Sequence, residues 1–138
     1  MYLVDTNIFL EVMLGRRRKE ECKKFLALLR NGRLTGVVTD FTIHSIIVLF
    51  DRLEKRNELR VFLSSLSAYK GLYIYTTTIS EELKAIDLAE GKGLDMDDAI
   101  QYSSALSLGA RGIVSFDRDF DGLDLPRLEP HDLISERS

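Results

Sequence analysis

The sequence contains very little of several residue types that define other classes of protein. A single cysteine, Cys22, cannot form an internal disulfide, so a reducing compartment is expected. There is no tryptophan, and the two prolines, Pro126 and Pro130, come so late that no proline interrupts an earlier helix. No apolar run is long enough to span a membrane, and the N-terminus resembles a strand rather than a signal peptide. These absences predict a soluble, cytoplasmic protein with no membrane partner.

The remaining composition is that of a globular domain with a slight acidic balance. The chain has 138 residues, of which 45% are hydrophobic, so we expect one domain over residues 1–138 with one substantial core. The net charge of -3 argues against binding of nucleic acid through bulk charge. It leaves room for a local basic patch.

Short apolar runs alternate with helical patterns along the chain. The predicted strands are 2–4, 37–39, 72–75 and 113–116. The predicted helices are 8–14, a helix after the basic run at 16–19, one through 43–50, one around 59–66, and two at 80–90 and 96–108. Asp40 is placed to cap the helix that follows the second strand. The alternation predicts an α/β fold, a three-layer α/β/α sandwich around a parallel sheet of four to five strands.

Acidic residues follow the first and last predicted strands and crowd the start of one helix. Asp5 and Asp117 come at strand ends, while Asp95 and Asp98 stand three apart at the start of the helix 96–108. Ligands of parallel α/β sheets bind at the carboxyl ends of the strands. Carboxylates brought together there need a cation, since like charges raise each other's pKa. A hard divalent metal with oxygen ligands is the simplest solution.

Each of these acids also has an ordinary structural explanation. Asp5 can be a turn or cap residue, Asp95 an N-cap, and Asp98 an acid at the positive end of a helix dipole. Asp119 can cap the turn after the last strand. One acid satisfies one cap, so the excess of acids favours the metal site.

The other candidate side chains are weaker. His44 lies one turn after Asp40, and a lone helical histidine is more often partly buried than a ligand. There is no cysteine and histidine cluster for zinc and no glycine-rich phosphate loop. Ser45 has no evident base partner, so a hydrolase triad is unsupported. The basic residues Arg16, Arg17 and Arg18 can contact a phosphate backbone or simply form a solvated helix start.

Taken together, the segments resemble the PIN-domain family, the metal-dependent nucleases that include the VapC-type toxins. The resemblance covers nearly the whole chain and depends on the segments 4–7, 93–100 and 113–120 in this order and spacing. It implies that Asp5, Asp98 and Asp117 are acidic metal-site residues. It also implies supporting roles for a set of polar residues: Thr6, Asn7, Asp95, Ser115 and Asp119.

The chain departs from the family pattern at one position. The family usually has a glutamate near the start of the helix after the second strand, and this position falls on Ser45 here. His44 is adjacent, and neither side chain replaces a carboxylate as a magnesium ligand. Losing one negative charge weakens metal binding by about 1 kcal/mol or more at an effective dielectric of about 20. Asp40 compensates if its side chain points inward.

The leading hypothesis is therefore Mg²⁺- or Mn²⁺-dependent hydrolysis of phosphodiester bonds in RNA. The alternative is a PIN-like module that binds RNA or protein without turnover. A phospho-signalling receiver domain is disfavoured because it requires paired acids in the first segment and a lysine after the last strand. A haloacid-dehalogenase-like phosphatase requires a second acid where Asn7 stands. The resemblance to VapC-type toxins also implies a homodimer and an antitoxin partner, and the apolar helices 43–50 and 59–66 supply either a dimer surface or core.

Overall fold

The chain forms a five-stranded parallel sheet with helices on both faces. A computed structural model describes the backbone of residues 1–137 and the side chains of residues 1–134. The strands are β1 (Tyr2–Val4), β2 (Gly36–Thr39), β3 (Leu72–Tyr75), β4 (Ile113–Val114) and β5 (Arg127–Leu128). The helices are α1 (Thr6–Met13), α2 (Lys19–Arg30), α3 (Asp40–Arg52), α4 (Arg56–Ser65), α5 (Ile79–Lys92), α6 (Met96–Ser107) and α7 (Pro130–Arg137). Two short 3₁₀ helices cover Leu66–Ala68 and Arg118–Phe120.

The strand order places the ends of β1 and β4 side by side in the middle of the sheet. The order is β3-β2-β1-β4-β5, and all four neighbouring pairs are parallel. The chain first builds the sheet outward from β1 through β2 to β3, and then returns to the other side of β1 as β4. The crevice between β1 and β4 is the position where this change of direction favours ligand binding in an open α/β sheet.

Alternate residues of the strands feed two separate hydrophobic cores. Val4 and Val114 face the larger core, which also takes the apolar faces of α1, α2, α3 and α4. Leu3 and Ile113 face the other core, where α5 and α6 pack. The strands β1, β2 and β4 are buried on both faces, which explains why they appear in the sequence as short continuous apolar runs, whereas the edge strand β3 exposes Tyr73 and Ile74. The predicted three-layer α/β/α sandwich is confirmed.

The structure corrects several details of the sequence-based prediction. The helix predicted to start at Ile8 begins at Thr6, and β4 ends at Val114 rather than at residue 116. A fifth strand, β5, follows the strand that was predicted to be the last. Thr39, not Asp40, caps α3, because its Oγ1 accepts a hydrogen bond from the Thr42 amide.

The apolar residues of the segments 43–50 and 59–66 belong mainly to the core. Ile43, Ile46, Phe50 and Phe62 are all buried within the larger core of the single chain. Core burial therefore accounts for the apolar pattern that suggested a dimer surface. Over the residues that the structure describes, no helix combines the length and apolarity needed to cross a membrane.

Candidate metal centre at the switch point of the sheet

Asp5 comes directly after β1 and is almost completely buried, with 3% of its surface exposed. It occupies the N-cap position of α1, but its side chain forms no capping hydrogen bond. The carboxylate instead accepts hydrogen bonds from Ser115 Oγ at 2.6 Å and from Gln101 Nε2 at 3.0 Å. These partners come from the end of β4 and from α6. Asp5 is thus the N-cap residue of α1, as one explanation predicted, but its carboxylate is directed toward the other two acidic segments.

Asp98 comes from α6, whose start is fixed by a sharp end to α5. Gly93 adopts a left-handed conformation with φ of 69° at the end of α5, which a glycine adopts without steric cost. Asp95 then takes the N-cap position of α6, but its exposed side chain forms no capping hydrogen bond. Asp98, in the first turn, is only 6% exposed. The turn between α5 and α6 thus buries one acid and leaves Asp95 and Asp97 in solvent.

The third acidic segment follows β4. The Asp117 amide donates to Ser115 Oγ at 2.9 Å, and Asp117 Oδ1 accepts from the Asp119 amide at 2.9 Å. Asp117, not Asp119, therefore caps the short 3₁₀ helix Arg118–Phe120. Asp117 is half-buried and Asp119 is exposed. Ser115 connects this segment to Asp5, because its hydroxyl donates to the Asp5 carboxylate and accepts from the Asp117 amide.

These segments place carboxylates close enough to share a cation. Asp98, Asp117 and Asp119 each offer an oxygen atom, and the three atoms lie within 4.8 Å of one another. Asp95 and Asp97 form a second such group with Asp98 on the exposed side of the same helix start. Asp5 is not one of the first three, but Ser115 connects its carboxylate to Asp117, and its charge adds to the rise in the pKa of Asp98. We use the name acidic cluster for Asp5, Asp98, Asp117 and Asp119.

Two members of the acidic cluster, Asp98 and Asp5, bind a proton more readily than an ordinary aspartate. Burial raises the pKa of Asp98 to about 7, and the neighbouring carboxylates of Asp97, Asp117, Asp5 and Asp119 add to the rise. Burial also raises the pKa of Asp5, while the hydrogen bonds from Ser115, Gln101 and the Thr6 backbone oppose that rise. A divalent cation would relieve both effects, because it favours the charged form of each acid.

The chemistry of the donors fits a hard divalent cation. All four members of the acidic cluster offer carboxylate oxygens, and neither histidine of the chain belongs to it. Mg²⁺ and Mn²⁺ prefer oxygen ligands of this kind, whereas zinc sites generally use histidine or cysteine. The residues present therefore fit the predicted Mg²⁺ or Mn²⁺ better than a softer metal.

Asp40 does not join the acidic cluster. Its Oδ1 accepts hydrogen bonds from its neighbour Phe41 and from both the amide and the hydroxyl of Thr77, at 3.0–3.1 Å. It therefore connects the end of β2 to the segment after β3. The expectation that Asp40 compensates for the absent glutamate is not supported by this geometry.

The remaining residues predicted near α1 and α3 do not join the acidic cluster. Thr6 Oγ1 lies 2.9 Å from Thr42 Oγ1, so it connects α1 to α3, and Asn7 is exposed. His44 is exposed and Ser45 is half-buried, and both line a shallow groove on α3. Ser45 is one turn beyond Thr42 and shares its helix face. Position 45 is therefore a neighbour of Thr42 on the surface of α3.

The basic run divides into two parts. Arg16 and Arg17 are exposed. Arg18 instead donates hydrogen bonds to Glu21 at 2.9 Å and Glu129 at 2.8 Å, and its guanidinium lies 4.1 Å from the centre of the Phe116 ring. These contacts give Arg18 a structural role, because they join α2 to the segments around β4 and β5.

Gln101 is the residue that sequence reasoning missed. It is the only glutamine in the chain, is 2% exposed, and holds one oxygen of Asp5. Its position three residues after Asp98 places both on one face of α6. An uncharged amide among apolar and small residues on this buried helix was the available signal.

Comparisons with known proteins agree with this architecture. The family model for the PIN domain matches residues 2–125. No curated protein matches the sequence. Among solved structures, a toxin–antitoxin complex from Klebsiella pneumoniae is 20% identical with a TM-score of 0.69, and covers 94% of this chain and 98% of its own. VapC20 from Mycobacterium tuberculosis is described as a toxin that cleaves the sarcin-ricin loop. It is 16% identical with a TM-score of 0.75, and the match covers 94% of this chain and 100% of VapC20.

A third similar structure is VapBC2 from Rickettsia felis bound to a promoter DNA fragment. It is 17% identical with a TM-score of 0.68, and covers 93% of this chain and 97% of its own. At these identities the structural matches establish the fold alone. The family model spans most of the chain, including the three segments that carry the acidic cluster. The chain therefore belongs to the PIN domain family.

Proposed function

We propose that the protein is a Mg²⁺- or Mn²⁺-dependent nuclease that hydrolyses phosphodiester bonds in RNA. The observation that carries this proposal is the acidic cluster, whose members come from three separate segments and meet at the crevice between β1 and β4. A folded protein keeps such a group of close carboxylates at a cost, since each disfavours ionisation of the others. Binding of a metal ion and a phosphate is the function that this arrangement serves best.

Asp5, Asp98 and Asp117 would hold the cation, and Asp119 would add a further oxygen. When bound, the metal ion would supply the charge that lowers the pKa of a water and stabilises the phosphate. Ser115 and Gln101 keep the Asp5 carboxylate in one orientation through hydrogen bonds to its two oxygens. Water is the expected nucleophile, because metal-assisted hydrolysis requires no covalent intermediate on the protein.

RNA is the proposed substrate because the resemblance to the PIN-domain family implies a ribonuclease, and VapC20 is described as a toxin that cleaves the sarcin-ricin loop. Arg16 and Arg17 remain exposed on the segment that follows α1, where they can contact the phosphate backbone. Such contacts supply affinity without selecting a sequence.

Partners are proposed from the same comparisons. Structures with this fold include toxin–antitoxin complexes, which supports a toxin role with an antitoxin protein as partner. We further propose a homodimer and a cytoplasmic location. The exposed apolar side chains of the described residues, among them Val48, Val61, Ile79 and Leu83, offer surface for either protein contact.

The test of the proposal is cleavage of single-stranded RNA with Mg²⁺ or Mn²⁺ by the wild type and by Asp98→Asn. Asp87→Asn is the matched control, because it makes the same charge change at an exposed site on α5. We expect metal-dependent cleavage by the wild type and the control, and none by Asp98→Asn. Cleavage retained in Asp98→Asn would refute the assignment of the acidic cluster.

A non-catalytic PIN-like module is the alternative, and Ser45 is the observation that favours it. A half-buried serine occupies the position where the family usually has a glutamate. A binding module would bind RNA or a protein at every metal concentration without cleaving RNA. Stable RNA binding by a folded wild type, with no product even at high Mn²⁺ concentration, would favour this alternative over the nuclease.

A further inference from the structure

Gln101 contacts the acidic cluster from the buried side of α6. Its Nε2 donates to Asp5 Oδ1 at 3.0 Å, across a sequence separation of 96 residues. In the ionised form of Asp5, which is the form that binds a cation, the carboxylate can only accept hydrogen bonds, and this defines the orientation of the amide. The amide nitrogen must therefore face Asp5.

This contact is one of two side-chain hydrogen bonds to Asp5, and the two come from different segments of the chain. Gln101 belongs to the helix that carries Asp98, and it holds Oδ1. Ser115 belongs to the segment that carries Asp117, and it holds Oδ2 at 2.6 Å. The orientation of the Asp5 carboxylate therefore depends on both of the other acidic segments. A buried carboxylate with only one of these partners could rotate about its terminal bond.

The other end of the Gln101 amide has no partner. Its Oε1 is the one buried side-chain nitrogen or oxygen atom without a hydrogen bond among the residues that the structure describes. A buried unpaired acceptor costs about 1–3 kcal/mol, and methionine or leucine would fill a similar volume without that cost. The unpaired acceptor by itself therefore disfavours glutamine at this position. The benefit must come from the donated hydrogen bond to Asp5.

We propose that Gln101 is a positioning residue of the metal centre, which holds the Asp5 carboxylate in the orientation that a divalent cation requires. This inference rests on the proposed function, since it assumes that the acidic cluster binds the ion. Hydrogen-bond partners of metal ligands typically account for a 10–100-fold difference in metal affinity. Gln101 should act through Asp5 in this way, without touching the substrate.

The experiment compares Mn²⁺ binding and thermal unfolding in four proteins. They are the wild type, Gln101→Met, Gln101→Asn and Ser104→Ala. Methionine fills the volume without a donor, whereas asparagine keeps the amide but is one methylene too short to reach Asp5 at 3.0 Å. Ser104 is the control, because it is equally buried on α6 but bonds only to the Ile100 carbonyl of its own helix. Calorimetric titration gives the Mn²⁺ dissociation constant, and circular dichroism in EDTA gives the melting temperature.

We expect Gln101→Met to weaken Mn²⁺ binding by about tenfold or more. Its metal-free melting temperature should stay within ~4 °C of the wild type, because the change also removes an unpaired acceptor. Ser104→Ala should bind Mn²⁺ as the wild type does. If Gln101→Met does not fold, the Mn²⁺ affinity of Gln101→Asn is compared with that of the wild type instead, and it should show a similar loss.

Three results would overturn the inference. Wild-type Mn²⁺ affinity in Gln101→Met and Gln101→Asn would show that Asp5 needs no such support. A loss of affinity that only accompanies a large drop in melting temperature in both variants would indicate a structural role. No saturable Mn²⁺ binding by the wild type would overturn the proposed function together with this inference, whereas the first two results leave the proposed function standing.

Discussion

Ser115 Oγ donates a 2.6 Å hydrogen bond to Asp5 Oδ2 and accepts one from the Asp117 amide at 2.9 Å. One buried hydroxyl thus connects the acid after β1 to the acid after β4. The connection is short because β1 and β4 are adjacent parallel strands whose last residues, Val4 and Val114, are paired. Residues 110 positions apart in the sequence thereby become partners in one site.

Ser115→Ala should lower the free energy of unfolding by about 1–3 kcal/mol, because a buried carboxylate and a backbone amide both lose a partner. Chemical denaturation in EDTA measures this loss. Ser103→Ala is the control. Ser103 is a buried serine like Ser115, but it lies on α6 and takes no part in the hydrogen bonds of the acidic cluster. Equal stability in the two variants would contradict the role given to Ser115.

Asp98 should make the metal-free protein less stable as the pH rises. Its pKa is about 7 in the folded chain, against about 3.9 for an unperturbed aspartate. An acid whose pKa is raised by folding holds its proton more tightly when folded. Its contribution to stability is therefore full below pH ~4 and is lost as the pH rises through 7.

The measurement is urea denaturation in EDTA at several pH values for the wild type and Asp98→Asn. The stability of the wild type relative to the variant should fall between pH ~4 and 8, by up to ~4 kcal/mol. Mn²⁺ at pH 8 should stabilise the wild type and leave Asp98→Asn nearly unchanged. Parallel pH profiles for the two proteins would show that Asp98 is not held protonated by the fold.

The sequence was sufficient to predict the sheet and the acids at its strand ends, because both depend on local patterns. The strands 2–4 and 72–75 have the bounds that their apolar runs predicted. β5 was missed because it has only two residues, and one of them, Arg127, interrupts any apolar run. Only its pairing with β4 identifies it as a strand. Thr39 and Asp40 are both good caps, and local chemistry could not choose between them.

The parts of the site that could not be predicted depend on long-range contacts. Gln101 faces Asp5 only because α6 packs across β1, and no local pattern specifies that packing. Arg18 appeared as one member of a basic run, yet its partner Glu129 lies 111 residues away. Such pairs become visible only when the register of the sheet and the packing of the helices are known.

Arg18→Ala should destabilise the fold without changing intrinsic affinity for RNA. The guanidinium joins Glu21 and Glu129 and stacks on Phe116, and these contacts together are worth about 1–3 kcal/mol. Arg18→Lys should recover only part of that free energy, because lysine keeps the charge but loses the planar fork. Thermal unfolding in EDTA measures the stability of the three proteins. A lysine variant as stable as the wild type would show that the planar guanidinium of Arg18 is not required.

Arg16→Ala and Arg17→Ala should have the opposite effect, with weaker RNA binding and unchanged stability. Both side chains are exposed, and each phosphate contact that is lost lowers the salt dependence of binding to a single strand by about 0.7 in the log–log slope. Binding is measured in the Asp98→Asn background, where no cleavage is expected, over a range of KCl concentrations. An unchanged slope in the double variant would place the RNA elsewhere on the surface.

Ser45→Glu should strengthen metal binding by restoring the acid that the family usually has. Position 45 follows Thr42 on one face of α3, and Thr42 contacts Thr6 beside Asp5. A carboxylate on this face adds about 1 kcal/mol of attraction for a divalent cation, which is roughly fivefold in affinity.

The control for Ser45→Glu is His44→Glu, which adds the same charge on the neighbouring, exposed position of α3. Titration with Mn²⁺ should show tighter binding for Ser45→Glu alone, and RNA cleavage should rise with it at limiting Mn²⁺. Equal gains in both variants would indicate a general effect of charge. No gain in either would mean that the acidic cluster is complete without a fourth segment, so the serine would not limit activity.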